Sequence, residues 1–265
     1  MSLLPIFIYL PFLYLFVILI IPTLTLLWEG LKIIPNNFLL IATQPIAISS
    51  YKITLLAASV AVIVNTCFGL IISWILARYE FPGKRIMNVT IDLPFALPTS
   101  VAGLTLSNIY RDDGIVGSFL QSYNISLTEN IYGIIMAMIF VSFPFMVRTI
   151  QPVIQEVEKE IEEASWVLGA FSWETFYFII LPSLLPTILT GVALSFSRAI
   201  GEYGSIVIIS SNIPYKDLTT SVLVAQRLEQ YDYVGATVIG IMIISLSFII
   251  LIAINLLQLW SKSYG

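Results

Sequence analysis

The sequence has no histidine and only one cysteine, Cys67, among its 265 residues. Zinc sites and bis-imidazole haem sites need histidine or cysteine ligands, and a disulfide needs two cysteines, so the sequence lacks the residues for all three. Charge is scarce as well, because charged residues make up 11% of the chain and the net charge is −4. A weakly acidic chain of this kind has no basic surface with which to bind nucleic acid.

A nucleotide-binding loop is also missing. The Gly-x-x-x-x-Gly-Lys-Ser/Thr motif cradles phosphates with its backbone N–H groups. The one Gly-Lys pair, Gly83-Lys84, is followed by Arg85 and lacks the preceding glycine of that motif. We therefore expect no cofactor in this chain and no enzymatic activity of its own. If ATP drives the protein, another subunit hydrolyses it.

Apolar residues are in excess, at 58% of the chain, against about 45–50% in a soluble domain. Because a chain of this length cannot hide so many apolar side chains in a core, its surroundings must be a lipid bilayer. A helix needs about 20 mostly apolar residues to cross the hydrocarbon. The first stretch lacks the basic start and small-residue cleavage site of a signal peptide, so we expect it to be retained. The sequence predicts an all-α polytopic membrane protein with about six transmembrane helices, at about 6–27, 53–77, 89–109, 131–149, 184–210 and 234–259.

The basic residues predict the orientation. Arg78, Lys84 and Arg85 crowd one short connector, and short basic connectors favour the cytoplasmic side of a membrane. We therefore expect both termini inside. The inner segments are then 78–88 and 150–183, and the outer ones are 28–52, 110–130 and 211–233.

The longer inner connector, about 150–183, has an unusual pattern. Apolar residues at helical spacing predict one amphipathic helix from Val153 to Leu168, ended by Gly169. Ser172 is placed to cap a second short helix, which Leu181-Pro182 would end. An acidic face suits a protein partner better than an anionic lipid leaflet, although a helix lying on the membrane surface stays an alternative. The acidic residues of the first helix are Glu156, Glu158, Glu160, Glu162 and Glu163.

This connector resembles the cytoplasmic loop signature of permease subunits of ATP-binding cassette importers. That signature reads Glu-Ala-Ala, three residues, Gly, nine residues, then Ile-x-Leu-Pro. Here the order is Glu163-Ala164-Ser165, then Gly169, then Ile179-Ile180-Leu181-Pro182. Ser165 departs from the third small residue but is itself small enough for close helix packing.

Two stretches, Leu93–Thr99 and Ser197–Gly204, resemble the sulfate and molybdate branch of these permeases. The segment 211–233 is most similar to CysT-type sulfate/thiosulfate permeases of green-algal and early land-plant plastid genomes. The resemblance implies the type I permease fold of ABC importers. Residues 1–50 would form a first helix and outer loop, and residues 51–259 the permease core with a cytoplasmic-side coupling loop.

The resemblance further implies one subunit of an ATP-driven sulfate importer in a plastid membrane, with a bacterial inner membrane as the alternative. Two ATPase subunits, a second permease of the CysW type and a soluble sulfate-binding protein would complete it. A molybdate or tungstate permease of the same type is the alternative substrate assignment. The residues expected to couple to the ATPase are Glu163, Ala164, Ser165, Gly169, Leu181 and Pro182.

Some polar and bending residues lie within the predicted spans. Arg198 and Glu202 are four residues apart and can pair, either lining the translocation path or locking the fifth span in place. Pro94 and Pro98 predict a kink in the third span, as a pathway wall or as plain bending. Asp92, near the start of that span, is expected to reach the inner interface.

Further features of the third span bear on packing and on rival functions. Gly103 and Ser107 predict close helix contact. An ion-gradient-driven carrier would use Asp92 and Glu202 to bind protons or sodium ions. That reading leaves the spacing of the inner connector unexplained. A membrane scaffold without transport activity is a second rival, in which the connector only docks a partner.

Overall fold

The computed structural model describes residues 4–33 and 37–262. Residues 1–3 of the predicted N-terminal unit and 34–36 of a predicted outer segment lie outside this range. Within the described residues the chain is helical and contains no strand. The helices are α1 (Leu4–Leu15), α2 (Ile21–Ile33), α3 (Phe38–Ala42), α4 (Pro45–Arg78), α5 (Lys84–Ala96), α6 (Thr99–Tyr110), α7 (Gly117–Gln121), α8 (Ile131–Glu156), α9 (Lys159–Val167), α10 (Ser172–Thr175), α11 (Leu181–Ile200), α12 (Ile206–Ile209), α13 (Thr220–Glu229) and α14 (Tyr233–Lys262).

Short π-helical turns join two pairs of these helices. One, Phe16–Ile20, joins α1 to α2, and the other, Phe176–Ile180, joins α10 to α11. Five continuous stretches are long and apolar enough to span a membrane, and α5 with α6 makes a sixth if that bent pair counts as one. The continuous stretches are Tyr9–Gly30, Pro45–Arg78, Ile131–Glu156, Ser172–Ile200 and Tyr233–Ser261.

Helices α4, α8 and α11 form the centre of the fold. Alanines on the buried face of α4, such as Ala57 and Ala61, let the helices approach closely. The Met146 side chain of α8 fills the space left by two glycines, Gly69 of α4 and Gly191 of α11. A Cβ on either glycine would lie within 2.8 Å of the Met146 side chain. Small residues thus create the contact surface that membrane helices need in place of a hydrophobic driving force.

The two central helices α4 and α8 run parallel. Asn65 Nδ2 donates to Ser142 Oγ at 2.9 Å, and further along both helices Arg78 Nη2 donates to Val157 O at 3.1 Å. Both helices therefore end at one membrane face, which we call the C-terminal face. Since α8 starts again at the opposite face, the bent α5–α6 pair between them makes one crossing, and the total is six. The predicted sharing of one face by 78–88 and 150–183 is confirmed.

The predicted boundaries of the fifth span are wrong. The helical stretch runs from Ser172 to Ile200, whereas the prediction was 184–210. The short helix predicted to end at Leu181-Pro182 instead continues into this span. The π turn directly before Leu181 resets the hydrogen-bond pattern, which places Pro182 in a new first turn where its missing N–H is tolerated. A proline that the sequence pattern reads as a stop is here accommodated within one span.

Candidate functional site

The stretch predicted as a single helix, Val153–Leu168, is divided between two helices. Helix α8 ends at Glu156, Val157 has an extended ψ of 119°, and α9 begins at Lys159. Electrostatics favours this break, because Glu160 and Glu162 then lie in the first turn of α9, where the helix dipole stabilises acids. If α8 continued unbroken from Ile131 to Val167, the same acids would lie in the C-terminal half of the helix, where the dipole disfavours them. We call residues 157–175 the coupling loop.

Gly169 ends α9 in the way its position predicts. Its φ is +94°, the left-handed region that glycine adopts without strain. The N–H groups of Gly169 and Ala170 donate to Trp166 O and Ser165 O at 3.0 and 3.1 Å, which is the Schellman arrangement. A Cβ on Gly169 would meet nothing within 4 Å. Its role is therefore a turn, and close packing is not the reason for glycine here.

The small residue at the third signature position joins α9 to α10. Ser165 is buried, and its Oγ lies 2.6 Å from Thr175 Oγ1. Glu163, Ala164 and Pro182 are exposed, and Leu181 is half-buried. The predicted cap of α10 is displaced by one residue: Phe171 precedes the helix and donates its N–H to Glu174 Oε2 at 2.8 Å.

The coupling loop carries an uncovered apolar tip. Val167 and Leu168 are 87% and 88% exposed. Single exposed apolar residues are common, but adjacent ones form a patch that usually marks an interaction site. Phe171 and Trp173 extend the same surface and are also exposed. These four side chains, which we call the apolar tip, are between 63% and 88% exposed.

The third span bends by 115° between α5 and α6. The break lies at Leu97-Pro98, where Leu97 is extended as residues before proline usually are. Pro94 lies inside α5 without ending it, because Leu97 N–H still donates to Leu93 O at 3.1 Å. Of the two predicted bending residues, Pro98 alone coincides with the break.

The turn after Pro98 lies against the segment that follows α11. A Cβ on Gly204 would lie 2.2 Å from Thr99 Oγ1, and a Cβ on Gly103 would lie 2.5 Å from Ser205 Cα. The predicted close contact at Gly103 is confirmed. Pro98 and Glu202 therefore belong to one region, whereas Pro94 lines a separate apolar cavity of about 870 Å³ beside α4 and α8.

The predicted pair of Arg198 and Glu202 is formed, with Arg198 Nη1 2.8 Å from Glu202 Oε2. Glu202 lies just beyond the end of α11, and its side chain is 1% exposed, whereas that of Arg198 is 31% exposed. Glu202 Oε1 also accepts bonds from Ser205 N and Ser205 Oγ at 3.0 and 2.8 Å. The carboxylate thus fixes the segment after α11, while the guanidinium keeps an open side.

The Asp92 side chain is 47% exposed beside Lys84 and Arg85 of the inner connector, in agreement with the position expected for it, and it also has a partner that was not predicted. Its two oxygens accept from Arg148 Nε and Nη2 at 2.8 and 2.6 Å, and Arg148 also donates to Asn88 O at 2.8 Å. This bidentate pair joins α5 to α8. Because 56 residues separate the partners, no spacing rule could have found it.

Comparison with known proteins identifies the family. Residues 69–261 match the family model described as "Binding-protein-dependent transport system inner membrane component". The chain belongs to this family. It is therefore a membrane component of a transport system and not an enzyme.

Relatives of this family member are similar over almost its whole length. A "Probable sulfate transport system permease protein cysT" of Mesostigma viride is 59% identical over 252 residues, 95% of this chain and 94% of the relative. The protein of the same name from Chlorokybus atmophyticus is 55% identical over 251 residues, 95% and 88% of the two chains. The "Sulfate transport system permease protein CysT" of Synechocystis sp. is 52% identical over 252 residues, again 95% and 88%.

Solved structures confirm the permease fold. A bacterial ABC transporter involved in the import of the acidic polysaccharide alginate matches with a TM-score of 0.78 at 18% identity, over 97% of this chain and 94% of the other. The same kind of transporter in complex with an alginate pentasaccharide-bound periplasmic protein matches with a TM-score of 0.76 at 20% identity, over 95% and 92%. At such identities the likeness concerns the fold alone. The all-α type I permease architecture expected from the sequence is confirmed.

Proposed function

We propose that this chain is a permease subunit of an ATP-driven sulfate/thiosulfate importer. The observation that carries the proposal is the 51–59% identity to proteins named sulfate transport permeases, over 93–95% of this chain. The division of work fits the sequence, which has no phosphate-binding loop of its own. A molybdate or tungstate permease of the same type is the alternative.

The complex would contain two ATPase subunits, a second permease of the CysW type and a soluble sulfate-binding protein on the far side of the bilayer. We propose a plastid membrane as its location, because two of the three relatives named above, those of Mesostigma viride and Chlorokybus atmophyticus, come from algae. The Synechocystis relative keeps a bacterial inner membrane as the alternative. Residues 51–259 would form the transporting core and residues 1–50 an added helix and outer loop.

The coupling loop would bind the ATPase at the C-terminal face. An exposed apolar tip beside exposed acids such as Glu163 has the composition of a protein interface, with an apolar centre and a polar rim. Glu163 and Ala164 would contact the partner. Ser165 and Gly169 would hold the shape of the loop, and Leu181 and Pro182 would set its return into the membrane. A helix that lies on the membrane surface is the less suitable alternative, because its acidic residues would be repelled by an anionic lipid leaflet.

The path for the anion would pass the region of Arg198, Glu202 and Pro98. The open side of Arg198 offers donors to a divalent oxyanion. Buried Glu202 offsets the arginine's charge and keeps binding weak enough for release. Pro94 would have an indirect role, by setting the conformation of α5, the half of the third span that leads to this region. Neither Glu202 nor Asp92 suits an ion-gradient carrier well, because each carboxylate is already held by an arginine.

Uptake into liposomes tests the transport function. The complex, purified with its own ATPase, second permease and binding protein, is expected to accumulate sulfate only when ATP and binding protein are both present. Uptake that survives removal of ATP but collapses with an ion gradient would show a carrier instead. Stronger competition by molybdate than by thiosulfate would favour a molybdate permease. Sulfate uptake by a complex that lacks this chain would indicate that the chain is a scaffold.

The pathway role is tested by Arg198→Ala with Glu202→Ala, which removes both charges together. We expect the complex to assemble while sulfate uptake falls about tenfold or more, since a charge-assisted contact contributes about 1.5–3 kcal/mol. The matched control is Arg227→Ala with Asp232→Ala, which removes another ion pair with the same 2.8 Å distance. Normal uptake by the first double variant would contradict the pathway role.

A further inference from the structure

Arg78 is the last residue of α4 and inserts its side chain under the coupling loop. Its Nη2 lies 2.5 Å from Glu162 Oε1 of α9 and donates to Val157 O at 3.1 Å. Val157 is the break between α8 and α9. One guanidinium therefore holds both the point where the coupling loop leaves α8 and the first turn of the helix that follows.

This pair is shielded from water, unlike most ion pairs at the end of a helix. The exposed fractions of the Arg78 and Glu162 side chains are 9% and 13%. In such surroundings an ion pair is weakly screened, and removing one partner leaves an uncompensated charge. By contrast, Lys84 and Glu80 form a pair near the same membrane face in which the glutamate is 88% exposed. Pairs of that kind contribute little.

The contact extends through aromatic rings to the next span. The guanidinium carbon of Arg78 lies 5.5 Å from the centre of the Trp74 ring, within the range of cation–π attraction. Trp74 in turn meets Phe176 edge to face, with ring centres 5.3 Å apart. Phe176 is the first residue of the π turn that leads into α11. Arg78 thus connects the coupling loop, α4 and the base of the span that carries Arg198.

We propose that Arg78 is a positioning residue that transmits movement of the coupling loop to the transport helices. It holds α9 at a fixed angle to α4, so that displacement of the loop by the ATPase moves α4 and α11 instead of bending the break at Val157. This inference rests on the proposed function of the coupling loop. Nothing in the loop signature itself includes Arg78 or Glu162.

The test measures sulfate transported per ATP hydrolysed in liposomes that contain the whole complex. For Arg78→Gln and for Glu162→Gln we expect the ATPase to co-purify and hydrolyse ATP, while this ratio falls roughly five- to tenfold, a typical size for coupling between sites. Arg78→Lys, which keeps a positive charge and an N–H donor for Glu162 and Val157 O, should recover part of the ratio. Lys84→Gln, the matched control, should leave it unchanged. A merely destabilised complex would lose uptake and hydrolysis together and keep the ratio.

Four outcomes separate the possibilities. A wild-type ratio in both single variants overturns the positioning role, and so does an Arg78→Lys chain that behaves no better than Arg78→Gln. If Arg78→Gln fails to insert, Glu162→Gln decides alone, because it keeps the Arg78 bond to Val157. If the unaltered chain does not bind an ATPase at all, the proposed function fails independently of Arg78.

Discussion

A Gly103→Ala chain is expected to unfold at a temperature about 2–12 °C below that of the unaltered chain, although the change adds only one methyl group. The added Cβ would lie 2.5 Å from Ser205 Cα and 2.6 Å from Ser205 O. Both are backbone atoms and cannot rotate away. Overpacking typically costs about 1–3 kcal/mol, and each kcal/mol lowers the midpoint by about 2–4 °C in a chain of this size. Thermal unfolding of the detergent-solubilised protein provides the measurement.

Gly240→Ala is the matched control. It also lies inside a helix, α14, but a Cβ there would meet nothing within 4 Å. Because alanine favours helix over glycine by about 1 kcal/mol, the control should be as stable as the unaltered chain or slightly more so. The two changes are thus expected to have opposite signs. Equal stability of the two variants would show that α6 is not held against the segment after Glu202.

Replacing Val167 and Leu168 together by aspartate is expected to abolish binding of the ATPase. Both side chains are more than four-fifths exposed, so the change removes almost no contact within the chain, and its cost to stability is limited to about 0.3–1 kcal/mol per aspartate from the dipole at the end of α9. Charges placed in the apolar centre of an interface should weaken binding at least about thirtyfold, because central residues contribute about 2 kcal/mol or more. Co-purification of the ATPase and ATP-driven uptake both report the loss.

Ile115→Asp serves as the control for this experiment. Ile115 is 87% exposed as well, but it lies between α6 and α7, away from the C-terminal face. It should leave ATPase binding unchanged. If the doubly substituted chain still captures the ATPase as well as Ile115→Asp does, the apolar tip is not the docking surface.

The membrane spans could be predicted because their signal is local. A run of about 20 apolar residues has few fates besides crossing a bilayer. The start of the fifth span was misplaced, because a proline signals a helix end unless the preceding turn is wider than an α turn. Phe176, the first residue of that turn, packs against Trp74, about 100 residues earlier in the chain. Local rules contain no information on such a contact.

The candidate site divides in the same way. The left-handed turn at Gly169 and the pairing of Arg198 with Glu202 follow from neighbouring positions, and both are observed. The break at Val157 and the partner of Asp92 depend on arginines 79 and 56 residues away. Short-range spacing therefore identifies the loop that presents a surface. It cannot identify the side chains that hold this loop to the helices.

The π turn at Phe176–Ile180 determines the direction in which α11 faces. Such a turn contains one residue more than an α turn, and each helical residue advances the chain by about 100° around the axis. Every side chain beyond Ile180, including Arg198, is consequently rotated by about that angle relative to an uninterrupted helix. The direction in which Arg198 points around the helix axis is therefore set at the other end of its span, beside the coupling loop. Conversion of this π turn into an α turn would rotate the arginine about the helix axis without moving the axis itself.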